Sequence, residues 1–116
     1  MSQRKELSEA LTRLEAAMRA AGIWKQEVPT PEAFASREPF SLDTMSLPQW
    51  LRYVFVARLR VMLSEGQPLP ASSSIAPAAQ VYLPQLSEGA RMPVVQTLQE
   101  IDDLISGTNT GAPALH

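Results

Sequence analysis

Apolar positions in the first twenty residues recur with a helical period. Leu7, Leu11, Leu14 and Met18 follow one another at spacings of four, three and four residues, which places them on one face of an α-helix. Gly22 comes next and favours a helix end, because glycine adopts the left-handed C′ conformation without strain. The pattern therefore predicts a first helix over residues 3–21, with its apolar face on a core.

Three later segments show the same period, and no segment alternates as a β-strand does. The second begins at Ser46, where Ser46 and Gln49 match the capping-box pattern. The predicted helices cover residues 46–65, residues 75–83 or 75–86, and residues 92–106. We predict an all-α fold, a four-helix bundle with long proline-rich connections between helices 1 and 2 and between helices 2 and 3. Residues 1–106 are predicted to form one domain, and residues 107–116 a disordered tail.

The first connection, residues 23–46, is longer than a compact domain usually leaves without structure. Its apolar residues can pin it to the bundle, and they include Trp24, Phe40 and Met45. Aromatic residues beside prolines can also line a groove for a peptide. For Trp24 and Trp50 both interpretations stay open: they either hold the loop on the core or contribute to a binding surface.

Arg58 is the most unusual charged residue in the pattern. On a regular helical wheel it falls within the apolar arc of the second helix, seven residues after Leu51 and three after Phe55. A buried guanidinium without a partner is costly. We therefore expect Arg58 to be largely buried beside a carboxylate, Asp43 first and Glu38 second. It would act either as a structural strut for the loop or as part of a pocket for a carboxylate or phosphate.

Charge and composition narrow the class of protein. The chain has 116 residues and a formal net charge of −2, without the basic excess typical of nucleic-acid modules. Nine of the ten Lys and Arg residues precede residue 67, which permits a locally basic face. The absence of cysteine excludes disulfides and thiolate metal sites. The amino terminus lacks the apolar segment of a signal peptide and no run is long enough to cross a membrane, so we expect a cytoplasmic protein.

No group of residues has the spacing of a catalytic or cofactor site. The single histidine is His116, in the predicted tail, and the glycines are isolated rather than clustered around a phosphate. Asp102 and Asp103 are expected to belong to a solvated acidic face. We therefore predict no catalytic residue, no cofactor and no metal site.

Several residues resemble those of a known family. Trp24, Phe40, Asp43-Thr44-Met45, Trp50-Leu51 and Arg58 stand in the order found in the YqcC-like family of small proteobacterial proteins. Ala57 departs from the proline expected there. The resemblance covers residues 7–105 and implies a cytoplasmic bundle of four helices of unknown function. Genes of this family can lie near a tRNA pseudouridine synthase, and some members carry that label.

Two hypotheses of function follow. The first is a non-enzymatic binding or accessory module that uses loop 23–46 and the helix 2 surface, including Trp24, Phe40, Asp43, Thr44, Met45, Trp50 and Arg58, to bind a protein partner. The second is an RNA-associated accessory factor linked to tRNA modification, supported by the basic bias of residues 1–66. A homodimer is possible through apolar side chains left exposed, and no membrane contact is expected.

Overall fold

Four helices make up the framework of the residues that the structure describes. The computed structural model describes residues 3–70, 72–83 and 86–107. Helix α1 spans Gln3–Ala20, α3 spans Ala76–Tyr82 and α4 spans Glu88–Gly107. Helix α2 covers residues 47–64 in three parts: an α-helical start at Leu47–Trp50, a π-helical turn at Leu51–Val56, and an α-helical end at Ala57–Ser64. No β-strand occurs among the described residues, and the predicted all-α fold with four helices and two long connections is confirmed.

The core is built on the packing of α1 against α4. Each helix presents a regular apolar stripe, Leu7, Leu11, Leu14 and Met18 from α1 and Val94, Leu98, Ile101 and Ile105 from α4, all fully buried. Burying one such side chain stabilises the fold by about 1.5–3 kcal/mol. An exposed ion pair between Arg13 and Glu100 joins the same two helices at the surface. Helix α3 packs on α4, and apolar residues of α2 complete this core.

Helix α4 begins earlier than its proline suggested. The sequence pattern placed its start near Pro93, but the helix begins at Glu88. The hydroxyl of Ser87 accepts a hydrogen bond from the backbone N–H of Ala90, as an N-cap does. Pro93 lies in the second turn of the helix. Gly107 is the last residue of α4, and the rest of the predicted tail lies outside the described residues.

The connection between α1 and α2 is held by short local structures. It contains two 3₁₀ turns, Pro31–Ala35 and Pro39–Ser41. Thr30 caps the first turn, and Ser46 starts α2 with the predicted capping box, completed by Gln49. The loop therefore has defined hydrogen bonds over much of its length.

Candidate functional site

The segment from Ala33 to Met45 is closed by its own hydrogen bonds. The Thr44 hydroxyl donates to the carbonyls of Ala33 and Ser41, at 2.8 and 3.3 Å. The Ser36 hydroxyl donates to a carboxylate oxygen of Asp43 and accepts from the backbone N–H of Glu38. Met45, the last residue of this segment, is buried. Asp43 and Thr44 thus maintain the shape of the loop itself.

An aromatic row links this loop to α2. The Phe40 ring meets the Trp50 ring edge-on with centroids 5.1 Å apart, and Trp50 stacks on Phe55 at 5.7 Å. Phe40 and the following Ser41 both have positive φ, 57° and 50°, a region that non-glycine residues adopt at some energetic cost. This conformation carries the Phe40 side chain to Trp50. The structure therefore brings together two of the predicted site residues, Phe40 and Trp50.

Trp24 lies in a separate group on the polar side of α2. Arg52 donates to the Trp24 carbonyl at 2.7 Å, and its guanidinium lies 4.7 Å from the centroid of the Trp24 ring. Arg19 of α1 approaches the same ring at 5.5 Å. Tyr53 and Gln49 donate to the carbonyls of residues 26 and 27. Polar side chains one helical turn apart on α2 thus fix the start of the loop.

The π-helical turn at Leu51–Val56 changes which face of α2 is buried. Hydrogen bonding from i to i+5 adds one residue to a turn, and one residue corresponds to roughly 100° of rotation on an α-helix. Leu51 and Val56 are therefore both buried although they are five residues apart. After the turn Leu59 is buried, at 3% exposure, and Val61 is 49% exposed. On an uninterrupted α-helix these two side chains would lie at equal angles, about 80°, on either side of Leu51.

The predicted burial of Arg58 is wrong for this reason. Its side chain is exposed, and among the described residues it has no hydrogen-bonded partner and no carboxylate within ion-pair distance. Asp43 is bonded to Ser36 instead. The strut between Arg58 and Asp43 does not form. The turn moves Arg58 off the buried face and puts Leu59 on it.

Asp102 is the buried charged residue that the sequence reasoning missed. It is 4% exposed, not part of a solvated face. Its carboxylate accepts from the backbone N–H groups of Ile75 and Ala76 and from the Ser73 hydroxyl, at 2.6–3.0 Å. It therefore caps α3 from another helix. The spacing of residues in the sequence indicated this burial, because Asp102 lies seven residues after Val95 and four after Leu98, beside the apolar stripe of α4.

A surface cleft of about 390 Å³ lies beside the aromatic row. Its lining combines apolar rings with two carboxylates, from Glu38, Pro39, Phe40, Leu42, Asp43 and Tyr82. Tyr82 ends α3 and is 46% exposed. Phe34, in the 3₁₀ turn Pro31–Ala35, is also exposed. We call the cleft and its six lining residues the loop cleft.

Comparison with known proteins fixes the family. The family DUF446, described as tRNA pseudouridine synthase C, matches residues 6–104. An Escherichia coli K12 protein named "Uncharacterized protein YqcC" is 32% identical over 96 residues, covering 83% of this chain and 87% of that protein. The chain belongs to the YqcC-like family. An uncharacterized protein of Haemophilus influenzae is 35% identical over 85 residues, which are 73% of this chain and 80% of its relative.

A solved structure supports the same relationship. The solution NMR structure of E. coli YqcC superimposes with a TM-score of 0.78 and 29% identity, covering 100% of this chain and 96% of that one. A longer relative, tRNA pseudouridine synthase C of Pectobacterium carotovorum subsp. carotovorum, is 40% identical over 72 residues. That match covers 62% of this chain but only 19% of the relative. Within the described residues, no helix has the length and apolar character to cross a membrane.

Proposed function

We propose that this protein is a binding module without catalytic activity, and that a protein partner docks on the loop cleft and the adjoining surface of α2. The cleft carries the proposal: it exposes apolar rings on a loop whose backbone is held by Thr44, Arg52 and Tyr53. A surface that is ordered before binding loses less conformational entropy on association. Exposed aromatic side chains are enriched in protein interfaces.

The acidic residues also favour binding over catalysis. The Asp102 carboxylate caps the amino-terminal end of α3, and that of Asp43 accepts from the Ser36 hydroxyl. Asp102 is buried, away from any open position where a substrate could exchange a proton, and Asp43 contributes its charge to the surface of the loop cleft. Among the described residues, no group of three His, Cys, Asp or Glu side chains is close enough to hold a metal. In a binding role, Asp102 stabilises the fold and Asp43 contributes negative charge to the loop cleft.

Two adjacent residues of α3 give a matched test. Tyr82 lines the loop cleft, while Val81 is 64% exposed and lies outside its lining. We expect Tyr82→Ala to abolish capture of the partner from a native cell lysate, measured by quantitative mass spectrometry. Val81→Ala should retain it. The proposal fails if no protein is enriched by the unmodified chain, or if both variants capture the same protein equally.

A second candidate is an RNA-associated role, which two observations favour. In the Pectobacterium relative, sequence like this chain belongs to a longer protein named tRNA pseudouridine synthase C. In the structure, Trp24 borders a groove of about 190 Å³ together with Arg19 and Lys25, and Arg52 lies over the same ring. Aromatic faces stack on bases, and neighbouring cations contact phosphates. The arrangement fits a single-stranded segment of RNA.

Binding to bulk tRNA tests this candidate. The affinity should fall steeply between low and moderate salt, because each neutralised phosphate releases counterions. Lys25→Glu should weaken binding, and Arg37→Glu, an exposed charge reversal outside the groove, should not. The absence of binding at low salt refutes the RNA-associated role.

A further inference from the structure

A cleft larger than the loop cleft lies between the start of α1 and the end of α2. It encloses about 620 Å³, a volume typical of ligand sites. Arg4 and Lys5 line it from α1, and Arg60, Val61 and Leu63 line it from α2. No carboxylate contributes to this lining among the described residues. We call it the basic cleft.

Two of its cations are held in place by neutral oxygens. One terminal nitrogen of Arg4 donates to the carbonyls of Met62 and Gln67, at 2.9 and 2.8 Å. Arg60 donates to the Thr12 hydroxyl at 3.3 Å. Within the described part of the chain, neither guanidinium forms an ion pair. Their positions are fixed while their charge is not neutralised and several of their N–H donors remain unused.

The rest of the lining is mainly apolar. Val61 is 49% exposed and Leu63 is partly buried. The π-helical turn accounts for this exposure, since it rotates Val61 away from the core. An anion with no apolar part would leave Val61 and Leu63 in water, so an occupant that covers them gains more by burial. The cleft lies open between two helices, which favours a segment of a larger molecule over a small ligand.

We propose that the basic cleft binds an acidic segment of a protein partner, with its carboxylates on Arg4 and Arg60 and an aliphatic or aromatic side chain on Val61 and Leu63. Charge complementarity and the apolar floor together define this class of partner. The inference rests on the proposed function, because it describes the chemistry of a protein partner that binds at the carboxyl end of α2. It involves residues other than those of the loop cleft.

A random-peptide library displayed on phage provides the probe. We expect the unmodified chain to enrich peptides that combine Asp or Glu with Leu, Ile or Phe. Arg60→Glu should weaken binding of the best peptide by about tenfold or more, which corresponds to about 1.4 kcal/mol. Arg58→Glu is the matched control, because Arg58 is an exposed arginine on the same helix and lies outside the lining.

The results of the peptide selection and of the two charge reversals decide whether the basic cleft binds an acidic protein segment. The inference is overturned if no peptide is enriched, if the enriched peptides are not acidic, or if the two charge reversals weaken binding equally. Stronger binding of a uridine oligonucleotide at the same cleft, lost in Arg60→Glu, also overturns it in favour of RNA. Peptide binding is measured on the purified chain, so its failure is independent of the lysate experiment at the loop cleft.

Discussion

Arg58 in α2 and Asp102 in α4 are both charged residues among apolar neighbours, yet one is exposed and the other is buried. Helix α4 keeps a regular α-helical register from Val94 to Ile105, so Asp102 stays beside the buried stripe. Helix α2 changes register at the π-helical turn, so Arg58 rotates off it. The comparison shows that the position of a charge on a helical wheel has meaning only where the hydrogen-bond register is constant.

The cost of burial differs between the two residues as well. Asp102 is buried with three donors directed at its carboxylate, from Ser73, Ile75 and Ala76. These bonds offset the loss of water around the charge. Arg58 has no such partner among the described residues, and in water it needs none. The π-helical turn therefore avoids a buried, unpaired guanidinium.

The largest effect is expected at Leu59. If the register changes as described, Leu59→Ala removes a core side chain and should reduce the free energy of unfolding by about 2–5 kcal/mol. Arg58→Ala, one residue earlier, should change it by less than about 0.5 kcal/mol. Urea unfolding followed by circular dichroism measures both. Equal effects, or a larger effect at Arg58, would show that α2 keeps one register.

A somewhat smaller effect is expected at Asp102. Asp102→Ala leaves the amide groups of Ile75 and Ala76 without their acceptor, at a cost of about 2–4 kcal/mol. Asp103→Ala is the control, because Asp103 is exposed and bonds only the side chain of Gln99 among the described residues. Its cost should stay below about 0.5 kcal/mol. Hydrogen exchange at Ala79, whose amide bonds the Ile75 carbonyl, should accelerate in Asp102→Ala alone.

The smallest effect is expected at Arg52, on the part of α2 that includes the π-helical turn. Arg52→Ala removes the bond to the Trp24 carbonyl and the contact with its ring, and should cost about 1 kcal/mol. The NMR signals of residues 24–27 should shift, since this segment is held to α2 by the same group of side chains. Unchanged spectra in this segment would contradict the contact. Arg58→Ala again serves as the control.

The sequence predicts much of the fold because three of the helices have a regular period and clear end signals. Ser46 and Gln49 form the predicted capping box, and Gly22 ends α1 with a positive φ of 77°. The start of α4 was misplaced because Pro93 was taken as its first turn, whereas Ser87 provides the cap. Proline in a second turn removes one intrahelical hydrogen bond, and α4 nevertheless continues through Pro93.

The candidate site was less predictable, because it depends on the backbone register of α2. Two apolar stripes offset by one residue, Leu47-Leu51-Phe55 and Val56-Leu59-Leu63, are visible in the sequence and indicate the change. A helical wheel drawn for one continuous α-helix merges the two stripes and places Arg58 within the merged apolar arc. The contact of Phe40 with Trp50 depends on a left-handed conformation that local pattern does not reveal. Asp43 and Thr44 bond within their own loop, which residue spacing alone does not indicate.

The register change can be tested directly by thiol labelling, because the chain has no cysteine of its own. Arg58→Cys and Leu59→Cys each introduce one thiol, and its reaction with a maleimide under native conditions reports its exposure. The account predicts that the thiol at position 58 reacts at nearly the rate of a free thiol. At position 59, reaction requires opening of the core and should be slower by about a hundredfold or more. Protection at position 58 and rapid reaction at position 59 would contradict the π-helical turn and the burial of Leu59.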